Sequence, residues 1–317
     1  MTGAGARSGP DRSRPGRPGP GGDAGRDPAG QDLPGGPGGR GLPTPRTAEG
    51  RAGLAAILAG PGQALIAADF DGTLAPIVAD PAAASAHPGA APALRALAGQ
   101  VGTLAIITGR PALAAVELGG FGDIPGLIVL GHYGWEQWQD GQLSSRPPPP
   151  GVAAARAELP ALLARAGAAE GTWVEDKGHA LAVHTRRAAD PAAALARVAA
   201  PLAGLARRTG LRLEPGRLVL ELRPPGTDKG TTLTSLVAQR RCRAILFAGD
   251  DLGDLAAFAA VRELRAAGHP GLTVCSGSAE VPELAAGADL VVDGPAQVTA
   301  LLAALAEAVS GSARPAR

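Results

Sequence analysis

Asp69-Phe70-Asp71-Gly72-Thr73-Leu74 follows directly on the apolar run Ala64-Leu65-Ile66-Ala67-Ala68. Two carboxylates two residues apart, pushed from an apolar strand into a glycine-containing turn, repel each other and find no partner in the strand. A divalent cation removes that repulsion and turns the pair into a working site. A second acidic group, Gly249-Asp250-Asp251-Leu252-Gly253-Asp254, follows the apolar run Ala244-Ile245-Leu246-Phe247-Ala248. Mg2+ takes a few carboxylates and fills the rest of its shell with waters and phosphate oxygens. Asp69 and Asp250 suit that role, and Asp254, one helical turn on, would order the ligands from behind. Asp251 fits a metal and a helix cap equally well.

Two further residues speak for an anionic substrate. Lys229 begins a helical pattern in Thr227-Asp228-Lys229-Gly230; a lysine there opposes the helix dipole unless an anion lies close by, although an ordinary surface lysine reads the same way. Thr108 ends the run Leu104-Ala105-Ile106-Ile107 and precedes Gly109. Its hydroxyl can bond a phosphoryl oxygen, or it can cap a helix. Hydrolysis of a phosphate monoester by an aspartate needs a nucleophile, an acid for the leaving oxygen, cover for the phosphoryl oxygens and a metal. In that scheme Asp69 attacks phosphorus, Asp71 protonates the leaving oxygen and later activates water, and Thr108 and Lys229 hold the phosphoryl group.

The elements that must position these residues are a parallel sheet and its helices. Strands are expected at Leu65–Phe70, Leu104–Thr108, Leu127–Leu130, Ala244–Ala248, Leu272–Cys275 and Leu290–Val292. Most are continuously apolar, as in strands covered on both faces. Helical patterns fall at 91–99, 111–118, 229–240, 252–260 and 296–309. This is an α/β fold with a doubly wound parallel sheet, in which ligands bind beyond the carboxyl ends of the strands. All of the residues singled out fall at that edge. After Pro147-Pro148-Pro149-Pro150 the rhythm changes. A helix (152–167), strands (172–176, 180–186), a helix (191–208) and strands (211–214, 217–222) form an αββαββ pattern with alternating polarity, which predicts an inserted α+β cap domain with a half-exposed antiparallel sheet. The division expected is a core at 62–142 and 223–309, the cap at 143–222, and disordered tails at 1–48 and 310–317. The first tail is rich in Gly, Pro and Arg and poor in apolar residues.

Composition excludes several classes. A net charge of +1 argues against nucleic acid or an anionic membrane as the main partner. Cys242 and Cys275 spell neither a disulfide framework nor a zinc site. No apolar run reaches the ~20 residues of a membrane helix, and the N-terminus lacks the apolar stretch of a secretory signal. A soluble, cytoplasmic enzyme with a small-molecule substrate is expected.

The Asp-x-Asp-Gly-Thr motif, Thr108, Lys229 and the Asp250–Asp254 cluster, in that order, resemble the four motifs of the haloacid dehalogenase superfamily. The resemblance implies Asp69 as phosphoryl-accepting nucleophile, Asp71 as general acid and base with its main-chain carbonyl on the metal, and Mg2+ as cofactor. Residues 62 to 260 further resemble the trehalose-6-phosphate phosphatases. The similarity is carried by Asp69–Val78, Val174-Glu175-Asp176-Lys177, Val183-His184-Thr185-Arg186 and Gly216-Arg217 to Arg223-Pro224, with Gly131-His132-Tyr133-Gly134 where that family has a His-Gly hinge. It implies hydrolysis of trehalose 6-phosphate, with a separate synthase making the substrate, and a sugar site drawn from Glu175, Lys177, His184, Arg186 and Glu221. Glu175 with Lys177, and His184 with Arg186, are expected to share the faces of neighbouring strands; an ordinary solvated face of ion pairs would look the same. Phosphatases of sucrose phosphate or mannosyl-phosphoglycerate, and a catalytically silent binder of sugar phosphates, stand as alternatives. Gly253 stands where the family usually has threonine, and Tyr133 interrupts the His-Gly pair.

Overall fold

The computed structural model describes residues 41–312 apart from 79, 81–82, 217, 227 and 278–280. Most of both expected tails, and Arg217, lie outside the described residues. The first half runs α1 (Ala48–Ala59), β1 (Ala64–Ala68), α2 (Ala90–Leu97), β2 (Thr103–Ile107), α3 (Ala112–Gly119), β3 (Leu127–Gly131), β4 (Glu136–Gln139), β5 (Gln142–Ser145), α4 (Pro150–Arg165), β6 (Trp173–Asp176) and β7 (Leu181–His184). The second runs α5 (Pro191–Thr209), β8 (Arg212–Gly216), β9 (Val219–Arg223), α6 (Lys229–Arg240), β10 (Ala244–Gly249), α7 (Leu255–Ala266), β11 (Gly271–Ser276), α8 (Pro282–Gly287), β12 (Leu290–Val292) and α9 (Gly294–Ser312).

The larger sheet has the order β12-β11-β10-β1-β2-β3-β4-β5. It is parallel from β12 to β3, with β4 and β5 antiparallel at one edge. β1 is buried on both faces. Ile66 and Ala68 pack with α1, α2, α3 and α9, while Leu65 and Ala67 pack with α6, α7 and α8. Chain order runs outward from β1 through β2 and β3, then resumes on its other side with β10. The reversal opens a crevice at the carboxyl ends of β1 and β10, where side chains from distant segments can meet.

Several features differ from expectation, among them helices α1 and α8, where no helical pattern was expected. Leu42 packs against the core, Arg46 donates to the carbonyls of Ala285 and Ala288, and Thr47 caps α1 while bonding Asp289. Packed structure therefore reaches into the segment assigned to the tail, because Arg46 and Thr47 satisfy backbone and carboxylate groups that composition does not register. At the other end, α9 continues through Ser310 to Ser312. The β4–β5 hairpin was also unforeseen. It carries the large sheet to Ser145, past residue 142, and turns through Asp140-Gly141, both at positive φ. An Asp-Gly pair between strands is a strong hairpin signal.

The smaller sheet, β6-β7-β9-β8, is antiparallel throughout. Leu181, Val183, Leu220 and Leu222 face α4 and α5 and form its core with Val198, Leu202 and Leu205. Alternation sends Trp173, Glu175, His184, Glu221 and Arg223 to the opposite face. The strand and helix order is the αββαββ read from the sequence.

Candidate active site

Asp69 leaves β1 with its amide bonded to the Ala248 carbonyl of β10, so both acidic turns start at the same height. Gly72 lets them close together. Its φ is +71°, and a Cβ there would overlap the Asp250 carboxylate. Thr73 Oγ1 donates to Asp250 Oδ1 at 2.9 Å, locking the first turn to the second. Ser276, at the end of β11, donates to the Gly72 carbonyl at 2.7 Å.

Lys229 is the hub. It opens α6 behind the N-cap Asp228, whose carboxylate accepts the Thr231 amide at 2.8 Å. Its Nζ lies 2.7 Å from Asp69 Oδ2, 2.8 Å from Asp254 Oδ1 and 3.7 Å from Asp251 Oδ1. Asp254 Oδ2 accepts the amides of Asp250 and Asp251 at 2.9 and 3.1 Å, so this acid is fully engaged within the protein. Asp69, Lys229, Asp250 and Asp254 are all buried. Asp251, exposed at the rim, occupies the N-cap position of the turn Leu252–Asp254.

The charges do not balance. Burial pushes the Asp69 carboxyl well above its usual range; Lys229 opposes this, while Asp254 and Asp251 add to it. Asp250 is pushed up to about 7 by burial and by Asp254. Lys229 is held well above the usual lysine range: burial alone would lower it, but Asp254, Asp69 and Asp251 outweigh that effect. One lysine faces too many acids. Carboxylate atoms of Asp69, Asp251 and Asp254 lie within 4.8 Å of one another, and a hard dication fits that surplus of oxygen ligands.

Thr108 is buried at the end of β2, and its Oγ1 accepts the Arg110 amide at 3.1 Å. It does not cap α3, which has Pro111 at its N-cap. With its oxygen accepting that amide, the hydroxyl still has its own proton to donate, as an oxyanion donor requires. The side chain of Asp71 is not part of the acid cluster around Lys229. Both its oxygens are held by Arg110, with Nε to Oδ2 at 2.7 Å and Nη2 to Oδ1 at 2.6 Å.

Above this floor stands the polar face of the small sheet. Lys177 Nζ pairs with Glu221 Oε2 at 2.7 Å, and His184 Nε2 with Glu175 Oε2 at 2.8 Å. Trp173 stacks on His184 at 4.6 Å. Arg186 is a correction: β7 ends at His184, and Arg186 lies exposed in the following turn instead of sharing the strand face. Thr185 keeps its amide on the Leu218 carbonyl, but its own carbonyl accepts the Ala188 amide in a turn and its hydroxyl donates to the Pro191 carbonyl at 2.9 Å, so the chain leaves the sheet there for α5.

The resemblance marks Gly131–Gly134 as the hinge between the two layers but gives its residues no role. Tyr133 packs against Gly109, where a Cβ would lie 2.7 Å from its hydroxyl, and carries the Arg223 guanidinium 4.8 Å over its ring. Burial raises its pKa, and the charges of Glu221, Lys229, Arg223 and Lys177 all act on it. His132 and Tyr133 both take the left-handed conformation, with φ of 49° and 58°, an uncommon choice for such side chains. His132 contacts His179 of the small-sheet layer at 4.2 Å, and Trp135 stacks on the same ring at 5.6 Å. Only the unusual Gly131-His132-Tyr133-Gly134 sequence hinted at this joint.

A family model described as trehalose-phosphatase matches residues 67–294. The trehalose-phosphate phosphatase of Mycobacterium marinum is 34% identical over 256 residues, which cover 76% of this chain and 61% of that protein. That of Mycobacterium ulcerans is 33% identical over 256 residues, again 76% of this chain and 61% of its own length. The chain thus spans less than two thirds of these relatives. A solved structure of Aspergillus fumigatus trehalose-6-phosphate phosphatase superposes with a TM-score of 0.64 at 25% identity, covering 84% of this chain and 99% of that one. Among the described residues no helix is long and apolar enough to cross a membrane.

Proposed function

Because the chain belongs to the trehalose-phosphatase family, we propose that it hydrolyses trehalose 6-phosphate to trehalose and phosphate. The observation that carries this reading is the buried Asp69 carboxylate, aimed out of β1 and held 2.7 Å from Lys229 at the mouth of the crevice. Asp69 attacks phosphorus, the bond from phosphorus to the sugar oxygen breaks, and Asp71 gives that oxygen its proton. A water then attacks the aspartyl phosphate, Asp71 takes the water's proton, and phosphate leaves with Asp69 restored. Lys229 and Thr108 hold the phosphoryl oxygens while their charge shifts.

Asp69, Asp250 and the main-chain carbonyl of Asp71 would hold Mg2+, with Asp254 ordering them and Asp251 at the rim. When bound, the ion supplies positive charge to the phosphoryl oxygens and to the surplus carboxylates. The polar face of Glu175, Lys177, His184 and Glu221 supplies paired donors and acceptors that a disaccharide's hydroxyls can displace, and it covers the reaction from bulk water. Arg186, exposed beyond the strand, stands at the edge of that surface.

The test is phosphate release from trehalose 6-phosphate, glucose 6-phosphate and sucrose 6-phosphate, with magnesium and with EDTA. Trehalose 6-phosphate should be turned over best, EDTA should stop the reaction and magnesium restore it. Preference for another ester, or full turnover in EDTA, overturns the reading.

A further inference from the structure

The scheme above leaves one well-defined interaction without a task. Arg110 and Asp71 leave the ends of neighbouring strands, β2 and β1, whose register pairs Ile106 with Ala68. Their side chains meet through two parallel hydrogen bonds of 2.7 and 2.6 Å. The pair lies at the mouth of the crevice, where the Asp71 side chain is 38% exposed. The Arg110 side chain is the covered half of the pair, at 16% exposure, so the carboxylate is the half that faces the crevice. The geometry of the pair is fixed from both sides.

On the acid's side the backbone is locked. Asp71 forms a β-bridge with Ala75, and the Gly72 amide donates to the Ala75 carbonyl at 2.7 Å. The main chain therefore cannot aim the carboxyl, and only its side-chain torsions are left to be set. On the arginine's side, the guanidinium lies 5.6 Å from the centre of the Phe70 ring. Phe70 is fully buried and meets Phe121 edge to face at 6.1 Å. Order thus passes from the core through Phe70 to Arg110, and from Arg110 to the Asp71 carboxyl. The amide of Arg110 bonds Thr108 Oγ1 at 3.1 Å, so the residue that sets Asp71 also belongs to the turn holding the proposed oxyanion donor.

The geometry points to Arg110 as a positioning residue, which orients Asp71 toward the leaving oxygen and has no part in the attack by Asp69. This rests on the phosphatase reading above. A planar fork suits that work: it fixes the plane and tilt of a carboxyl group, whereas an ammonium fixes only a distance. The proton that Asp71 gives to the sugar oxygen as the P–O bond breaks is the one it took from the hydrolytic water of the preceding turnover, and its loss leaves the anion whose two oxygens Arg110 holds. The same arrangement then presents that anion to the hydrolytic water.

A leaving oxygen that needs no proton should escape this requirement. The experiment compares kcat/KM, which reports phosphoryl transfer to the enzyme, for trehalose 6-phosphate and p-nitrophenyl phosphate in wild type, R110A, R110K, D71N and R110A/D71N, all with magnesium. R110A should lose about 100-fold on the sugar ester, the scale of general acid catalysis, and at least ~10-fold less than that on the aryl ester. R110K should fall between wild type and R110A on the sugar ester. In the D71N background R110A should cost nothing further on the sugar ester, because the action passes through Asp71. Thermal unfolding of R110A and R110K within a few degrees of wild type keeps the comparison to folded protein.

Equal losses on both esters would make Arg110 a phosphate-binding group and overturn the proposal, as would an undiminished R110A effect in the D71N background. A wild type that hydrolyses neither ester refutes the phosphatase reading itself, and this inference with it.

Discussion

The two polar layers of this molecule solve the problem of charge in opposite ways. At the strand ends, Asp69, Lys229, Asp250 and Asp254 are buried and acid-rich, and the carboxyl pKa values rise, first because burial disfavours their charge and then because the neighbouring acids repel one another, with Lys229 opposing both. On the face of the small sheet, Lys177 with Glu221 and His184 with Glu175 are matched one to one, and Glu175 is half exposed. The first arrangement is preorganised and incomplete, so it calls for a bound cation and an anionic substrate. The second pairs its charges within itself and leaves one open point, the buried Nδ1 of His184, which has no hydrogen-bond partner; elsewhere a ligand enters by exchanging its own hydroxyls for bonds already made. On the proposed reading, fixed chemistry belongs to the first layer and selectivity to the second.

The contrast breaks most visibly at the core. Asp69→Asn should lower turnover about 10⁴-fold or more, on the scale of losing a nucleophile. Its stability should equal or exceed wild type, since it removes a charge from a cluster with too many acids. Lys229→Met should also abolish turnover, but it leaves Asp69 and Asp254 buried without a cation, at a cost of about 3–5 kcal/mol. Urea unfolding of the two variants, beside phosphate release, measures both effects. If Asp69→Asn proves as unstable as Lys229→Met, the cluster is balanced and the contrast is lost.

A smaller effect is expected in the other layer. Glu221→Gln removes the charge from one matched pair; the loss of a charged hydrogen bond to the sugar should lower kcat/KM for trehalose 6-phosphate about 10- to 100-fold. The pair with Lys177 is mostly covered, at 21% and 17% exposure, and a charged hydrogen bond of that kind contributes about 1.5–3 kcal/mol, so the melting temperature should fall by a few degrees. Hydrolysis of p-nitrophenyl phosphate, which has no sugar, should change by less than about 3-fold. Similar losses on both esters would place Glu221 in the chemical step and erase the division of labour.

How far the sequence revealed these layers follows from the range of each interaction. The core acids announce themselves because each lies a few residues from the apolar strand that aims it, and the β1–β10 adjacency follows from the doubly wound pattern. Arg110 stood in plain sight beside Thr108, but its partner Asp71 is on another strand, so its task could not be read. The Glu175–His184 and Lys177–Glu221 pairs depend on the β6-β7-β9 register, which periodicity sets by face but not by partner. Arg186 was misplaced because the strand stops where Thr185 finds a backbone acceptor, a tertiary cause. The contact of His132 with His179 joins residues 47 positions apart by number across two layers, and no local pattern encodes it.

That histidine contact gives the smallest effect and the sharpest test of the comparison, because it titrates against the core. His132 is lowered to about 4, first by burial and then by Lys177; His179 is lowered to about 4, first by burial and then by His132. The unfolded chain binds protons near pH 6.5 while the folded rings stay neutral, so this stability is complete above 6.5 and is lost as pH falls toward 4. Asp250 runs the other way. Its folded pKa of about 7 lies above the ordinary carboxylate value of 3.8, so its contribution is complete below 3.8 and is lost as pH rises through 7. Without metal the two slopes oppose each other between pH 4 and 6.5 and flatten the stability profile. Asp250→Asn, which leaves the raised carboxyls of Asp69 and Asp254 in place, should uncover part of the histidine slope, and His179→Gln should steepen the acid slope, each by about 1–2 kcal/mol across the window. Saturating magnesium should act on wild type as Asp250→Asn does, because a carboxylate held by a cation no longer takes up the proton. Chemical unfolding at pH 4.5, 5.5 and 6.5 measures all of these. A magnesium-bound wild type whose stability does not rise with pH over that range would show that the core acids and the layer joint are not opposed.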